Sequence, residues 1–83
     1  MEFGTSAFKH GFTVEAIVHA VVSAVVVADL DPESDPPRVL AIGLDPDGRW
    51  LEVIWLELPD RDVVIHAMEL RKVFFDLLPR GDE

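Results

Sequence analysis

A chain of 83 residues has room for one domain and one thin core, since folding a chain of this size removes only roughly 60% of its unfolded surface from water. Its 16 Asp and Glu against 7 Lys and Arg give a formal net charge of −9, which disfavours nonspecific nucleic-acid binding because phosphate contacts need cations. Cysteine is absent, which excludes a disulfide framework and thiolate metal sites, and no apolar run reaches the ~20 residues of a membrane span. With no signal pattern at its start, the chain is expected to be a cytoplasmic domain covering residues 1–83. The opening MEFGTS carries no periodicity, and residues 1–7 are expected to be disordered or extraneous to the fold.

The first periodic segment is TVEAIVHAVVS, in which Val14, Ile17, Val18, Val21 and Val22 fall at i, i+3, i+4, i+7 and i+8. That spacing predicts a helix over 14–22 with this stripe buried, Thr13 as N-cap and Glu15 near the positive end of the helix. A strand should begin near Ala24 and run into DLDPESDPP, whose prolines and adjacent carboxylates make it a loop.

RVLAIGL (38–44) reads as a strand, DPDG (45–48) as a turn, and RWLEVIWLEL (49–58) as the next strand. PDRD then turns the chain into VVIHAM (63–68), completing an antiparallel meander. In ELRKVFFDLL, Leu70, Val73, Phe74, Leu77 and Leu78 repeat the helical stripe, so a helix is predicted over 70–78, stopped by Pro79 and Gly81. The expected fold is α+β: a small antiparallel sheet of three to four strands with an N-terminal and a C-terminal helix on one face. Leu40, Ile42, Val53, Ile65, Val18 and Phe74 should be buried.

Chemical motifs are few: there is no glycine-rich phosphate loop, metal-binding helix motif or nucleophile elbow, so no cofactor and no metal is expected. The acidic run DLDPESD (29–35) lacks the turn glycine and terminal glutamate of a calcium loop and reads as a solvated loop. Of the three histidines, His19 belongs to the polar face of the first helix. His66 shares one face of the last strand with Val64 and Met68, where its ordinary role would be a half-buried hydrogen bond to backbone. His10 precedes Gly11, a residue suited to an unusual backbone angle, and would cap or pack at the helix entry.

KHGFTVEA before a helix, then RVLAIGLDPDGRWLEVIW, then VVIHAMELRK resembles the BrnT family of bacterial toxins, over roughly residues 8–79. The family pattern is K-H-G-V-x-x-E-E-A, then R-x-x-x-I-G-x-x-x-x-G-R-x-L-x-V, then a strand leading into a basic helix. The actinobacterial form V-I-H-A-M-x-x-R-x-x-x-x-x-L-L-P is followed closely through Pro79. The resemblance implies a RelE-type fold and a ribonuclease that arrests translation by acting on RNA at the ribosome. It also implies neutralisation by a ribbon-helix-helix antitoxin, the pair repressing its own promoter. By position, Lys9, His10 and Gly11 match the first motif, Arg38 and Arg49 the arginines flanking the first hairpin, and Arg71 the arginine opening the last helix.

Metal-independent RNA cleavage needs a base for the 2′-hydroxyl, an acid for the leaving oxygen and cations for the phosphorane. The candidate catalytic set is therefore Lys9, His10, Arg49, His66 and Arg71, the histidines moving protons and the arginines gripping phosphate. The ordinary reading of Arg71 and Lys72 is two exposed helix cations, with Lys72 paired to Asp76. Two further functions compete with the nuclease: a non-catalytic member of the same fold that binds a protein partner, and a domain that homodimerises through a sheet edge or apolar patch. Phe75, placed among Arg71, Lys72 and Asp76, is the candidate anchor for either partner, with Trp50 or Trp55 beside it.

Overall fold

The computed structural model of the chain describes residues 1–79. Five strands form one mixed sheet: β1 (Glu2–Phe3), β2 (Val26–Asp31), β3 (Arg38–Leu44), β4 (Trp50–Glu57) and β5 (Asp62–Glu69), in the order β1-β5-β4-β3-β2. β2 to β5 are antiparallel neighbours, and β1 adds to the outer edge of β5 in parallel, Glu2 opposite Val63 and Phe3 opposite Val64. Residues 1–7, expected outside the fold, thus supply a strand and most of a 3₁₀ turn (Thr5–Phe8) whose Ala7 is fully buried.

The single α-helix of the described residues is α1 (Val14–Val22). Thr13 caps it, its hydroxyl accepting from the Ala16 amide at 3.1 Å, which satisfies one of the free N–H groups of the first turn. α1 lies over β3 and β4 and packs into Val39, Ala41, Leu51, Val53, Trp55, Val64 and Ala67. The helix approaches so closely that a Cβ on Gly43 would collide with the Ala20 carbonyl oxygen. Of the expected stripe Ile17 is buried and Val21 half-buried, Ala20 joins them in the core, and Val14, Val18 and Val22 face outward, contrary to expectation. Placing small Ala20 against the sheet permits the close approach to β3 and turns the valines to the side.

The C-terminal segment departs further from expectation. β5 continues through Glu69, and the amides of Leu70 and Arg71 are taken by Trp50 O and by the Glu52 carboxylate. Only Lys72–Leu77 coil, as a 3₁₀ helix, before Pro79. A segment this short between a strand end and a proline gains too few hydrogen bonds to cover the cost of nucleating an α-helix. It also packs on the face opposite α1: Leu70, Phe74 and Leu78 cover Leu40, Ile42 and Ile54. Covering both faces explains why β3 and β4 are buried continuously from Val39 to Gly43 and from Leu51 to Trp55 rather than at alternate positions. Leu40, Ile42 and Val53 are in the core as expected, whereas Ile65 and Phe74 are half-buried and Val18 is exposed.

Candidate functional site

The face covered by the C-terminal 3₁₀ helix carries one charged residue at its centre. Glu52 sits on β4 between core residues Leu51 and Val53, and its side chain is 0% exposed. Its Oε1 accepts from the Arg71 amide at 2.9 Å and from Arg71 Nε at 3.1 Å. Its Oε2 accepts from Arg71 Nη2 at 2.7 Å, Arg71 Nε at 3.0 Å and His66 Nε2 at 2.8 Å. Burial pushes the Glu52 carboxyl up, but hydrogen bonds from the Arg71 side chain and amide and from His66, with the guanidinium charge, outweigh it and hold the group below its ordinary value. The same contact raises Arg71 further above its already high value.

His66 reaches Glu52 because β5 is bulged. Ile54 is opposite His66, yet the next residue, Trp55, is opposite Val64, so Ile65 is an extra residue on β5. Strict alternation would put His66 on one face with Val64, as the sequence suggested. The bulge separates them, sending Val64 into the core under α1 and His66 to the Glu52 side. The N-terminal segment pins this irregularity: Gly4 N–H donates to Val64 O at 2.8 Å and Ser6 Oγ–H to Ile65 O at 2.6 Å. The chain then places His10, whose ring lies 5.8 Å from that of His66, edge-on at 79°. Gly11, at φ 85°, makes the sharp exit from His10 towards α1.

An ionised carboxylate only accepts, so the His66 nitrogen facing Glu52 carries a proton, and in the neutral imidazole Nδ1 is the nitrogen with the lone pair. A carboxylate fixing the tautomer of a histidine is the arrangement that prepares imidazole as a general base. Arg71 spends Nε and one Nη2 hydrogen on Glu52, which leaves the remaining donors of its half-exposed guanidinium; its carbon lies 5.5 Å from the Phe74 ring centre. One buried carboxylate thus joins His66 to the Arg71 cation, and the second histidine packs against His66.

Three of the five expected catalytic residues, His10, His66 and Arg71, come together here. Arg49 does not join them. Its Nε donates to the buried Asp45 carboxylate at 2.9 Å, its Nη2 lies 3.6 Å from Asp47, and its guanidinium stacks 5.0 Å from the Phe12 ring centre. Asp45 also accepts the amides of Asp47 and Arg49, so the pair builds the β3–β4 hairpin; burial raises the Asp45 carboxyl, and the Arg49 contacts overcome this to hold it low. Lys9 is exposed, its amide closing the 3₁₀ turn on Ser6 O. Arg38 is exposed at the start of β3, and His19 is exposed with Nδ1 2.7 Å from Leu44 O. In the acidic loop, Asp31 Oδ1 accepts the Glu33 amide at 3.3 Å, an internal turn contact.

Glu52 is the residue that sequence reasoning missed. The signal was a lone carboxylate inside the apolar run LEVIW, a position that stays buried only with a partner. Near the cluster, Trp50, Glu69, Leu70, Phe75 and Leu78 line an open, mainly apolar groove of about 420 Å³. Among the described residues no helix is long and apolar enough to cross a membrane. The chain matches no protein-family model, and no curated protein or solved structure matches it.

Proposed function

We propose that this chain is a BrnT-like ribonuclease toxin of RelE-like fold, cutting cytoplasmic RNA in a bacterial host without a metal and held in check by a small ribbon-helix-helix antitoxin. The observation that carries the reading is the meeting of His66 and Arg71 on Glu52 with His10 packed edge-on against His66, all drawn from the KHG and VIHAM–R motifs by which the chain resembles that family. In this reading His66 Nδ1 takes the proton from the ribose 2′-hydroxyl and the 2′-oxygen bonds to phosphorus. The bond from phosphorus to the 5′-oxygen breaks as His10 protonates that oxygen, while Arg71 faces the charge on the phosphoryl oxygens. The products are a 2′,3′-cyclic phosphate and a 5′-hydroxyl. Incubating the purified chain with single-stranded RNA in excess EDTA should yield those ends, and its expression should slow bacterial growth. Intact RNA at high enzyme concentration, or fragments ending in 5′-phosphate, would remove this reading.

A second reading, a protein-interaction or homodimerising member of the same fold, is favoured by the apolar surface of the C-terminal 3₁₀ helix. Val73 is 73%, Phe75 49% and Leu77 45% exposed, and Phe75 forms a wall of the groove. Phe75→Ser should leave thermal stability nearly unchanged and weaken association with antitoxin or a second copy by roughly 1–3 kcal/mol, the scale for losing an interface anchor. Calorimetry beside sedimentation separates the outcomes: a large stability loss with unchanged association makes Phe75 a core residue.

A further inference from the structure

The antiparallel ladder ends at β2, and among the described residues no strand lies beside its outer edge. In a ladder every other residue turns its N–H and C=O outward, so Val26–Asp31 offer a row of unpaired donors and acceptors. α1 covers β3 and β4 but stops short of β2. On the α1 side of the sheet Val27, opposite Ala41, is therefore 61% exposed, Val25 just before the strand is 48% exposed, and the outward flank of α1 adds Val14, Val18 and Val22 to the α1 side. Exposed edge strands are commonly blunted by charge, bulges and proline. Here those devices occupy only the far end, where Asp29 and Asp31 flank a bulge and Pro32 follows. The valine end is open.

The charge of this end selects the occupant. Asp29 and Asp31 lie beside the open ladder on a chain of net charge −9, so a second copy would bring nine further negative charges to the contact. We propose that β2 is a docking edge for an extended basic segment of another protein. The segment adds a strand beside Val26–Asp29, seats an apolar side chain on Val27 and sets a Lys or Arg against Asp29, which follows Val27 on the same face, while the bulge turns Asp31 to the other face opposite Arg38. This edge lies at the opposite end of the sheet from β5 and is separate from the Phe75 groove, so it stands whether or not the chain cuts RNA.

The test uses the full chain and three short blocked peptides: Val-Thr-Val-Thr-Lys-Thr-Lys (the Lys-Val peptide), the same sequence with Glu for Lys (the Glu-Val peptide), and the Lys-Val peptide with N-methyl groups along one backbone edge. Anisotropy titration should show the Lys-Val peptide binding about tenfold or more tightly than either other peptide, since one lacks the charge match and the other the ladder donors. Val27→Asp, at an exposed position, should keep the melting temperature and cost about tenfold in Lys-Val affinity. Asp29→Lys with Asp31→Lys should reverse the preference towards the Glu-Val peptide. Equal binding of the N-methylated peptide, or no effect of Val27→Asp, overturns the proposal. So does a sedimentation dimer that Val27→Asp dissociates, because the edge would then belong to a second copy.

Discussion

Arg71→Ala is expected to lower the unfolding free energy by about 3 kcal/mol, far more than a half-exposed arginine ordinarily contributes. The cost arises at Glu52, whose side chain is fully buried and whose oxygens are satisfied mainly by this guanidinium. Truncation leaves an ionised carboxylate in the core with only His66 and the residue-71 amide, the situation in which breaking a buried pair costs several kcal/mol. The surviving amide and histidine bonds keep the figure at the lower end. Glu52→Gln should cost less, about 1–2 kcal/mol, because the released guanidinium is half-exposed and can hydrate. Urea unfolding of both variants, with Lys72→Ala as a surface control, measures the asymmetry. An Arg71→Ala loss no larger than the control's would show that the clamp does not stabilise the fold.

The same pair gives the fold an acid sensitivity of definite sign. The Glu52 carboxyl lies below its ordinary value of about 4.5 in the folded state, so the unfolded chain binds its proton first as pH falls. The stabilisation is therefore fully present above the ordinary value and is lost as pH drops through it towards the lower folded value. Glu52→Gln should flatten that part of the stability profile. Some acid sensitivity should remain, because Asp45 is also held low by Arg49.

Much of the strand order was legible because β3, β4 and β5 are bounded by strong turn chemistry, with DPDG and PDRD standing between apolar runs. The layer arrangement was misread: both helices were expected on one face, although the strands carry a signal of the opposite. The apolar runs of β3 from Val39 to Gly43 and of β4 from Leu51 to Trp55, interrupted only by Glu52, signal a sheet covered on both faces, whereas helices on one face would leave alternate positions polar. The helical stripe in ELRKVFFDLL pointed to an α-helix because periodicity is blind to what the preceding residues are bonded to. Trp50 O and Glu52 take the amides of Leu70 and Arg71, which shortens the available segment. On α1 the valines misled because alanine carries little weight in a hydrophobic stripe, yet Ala20 is the residue small enough for the approach at Gly43.

The site was legible only in its endpoints. His10, His66 and Arg71 stood out as scarce groups with plausible chemistry, but nothing local predicts that Ile65 is a bulge residue. That bulge is stabilised by Gly4 and Ser6, some sixty residues away in the chain, in the opening stretch that showed no pattern. Arg49 looked equivalent to Arg71 because both are arginines beside strand ends. Asp45, four residues before Arg49, captures it in the hairpin, while Arg71 is drawn to a carboxylate across the ladder.

His10→Ala should therefore separate chemistry from folding where Arg71→Ala cannot. His10 is exposed, and its ring packs edge-on against His66, so its removal should leave the urea midpoint nearly unchanged. His66 would keep its Glu52 bond and its basic Nδ1, but the leaving 5′-oxygen would lose its proton donor. Loss of a positioned general acid costs on the order of 10²–10⁴ in rate. Cleavage of single-stranded RNA by His10→Ala should fall by at least about a hundredfold at matched folded concentration, with growth arrest relieved in parallel. A substrate whose 5′-oxygen is replaced by sulfur needs no protonation on departure, so it should be cut by wild type and His10→Ala at similar rates. His66→Ala should stay slow on that substrate, because activation of the 2′-hydroxyl is still required. Equal impairment of both histidine variants on the sulfur substrate would deny His10 the role of acid. Undiminished cleavage of ordinary RNA by His10→Ala would remove it from the chemistry altogether.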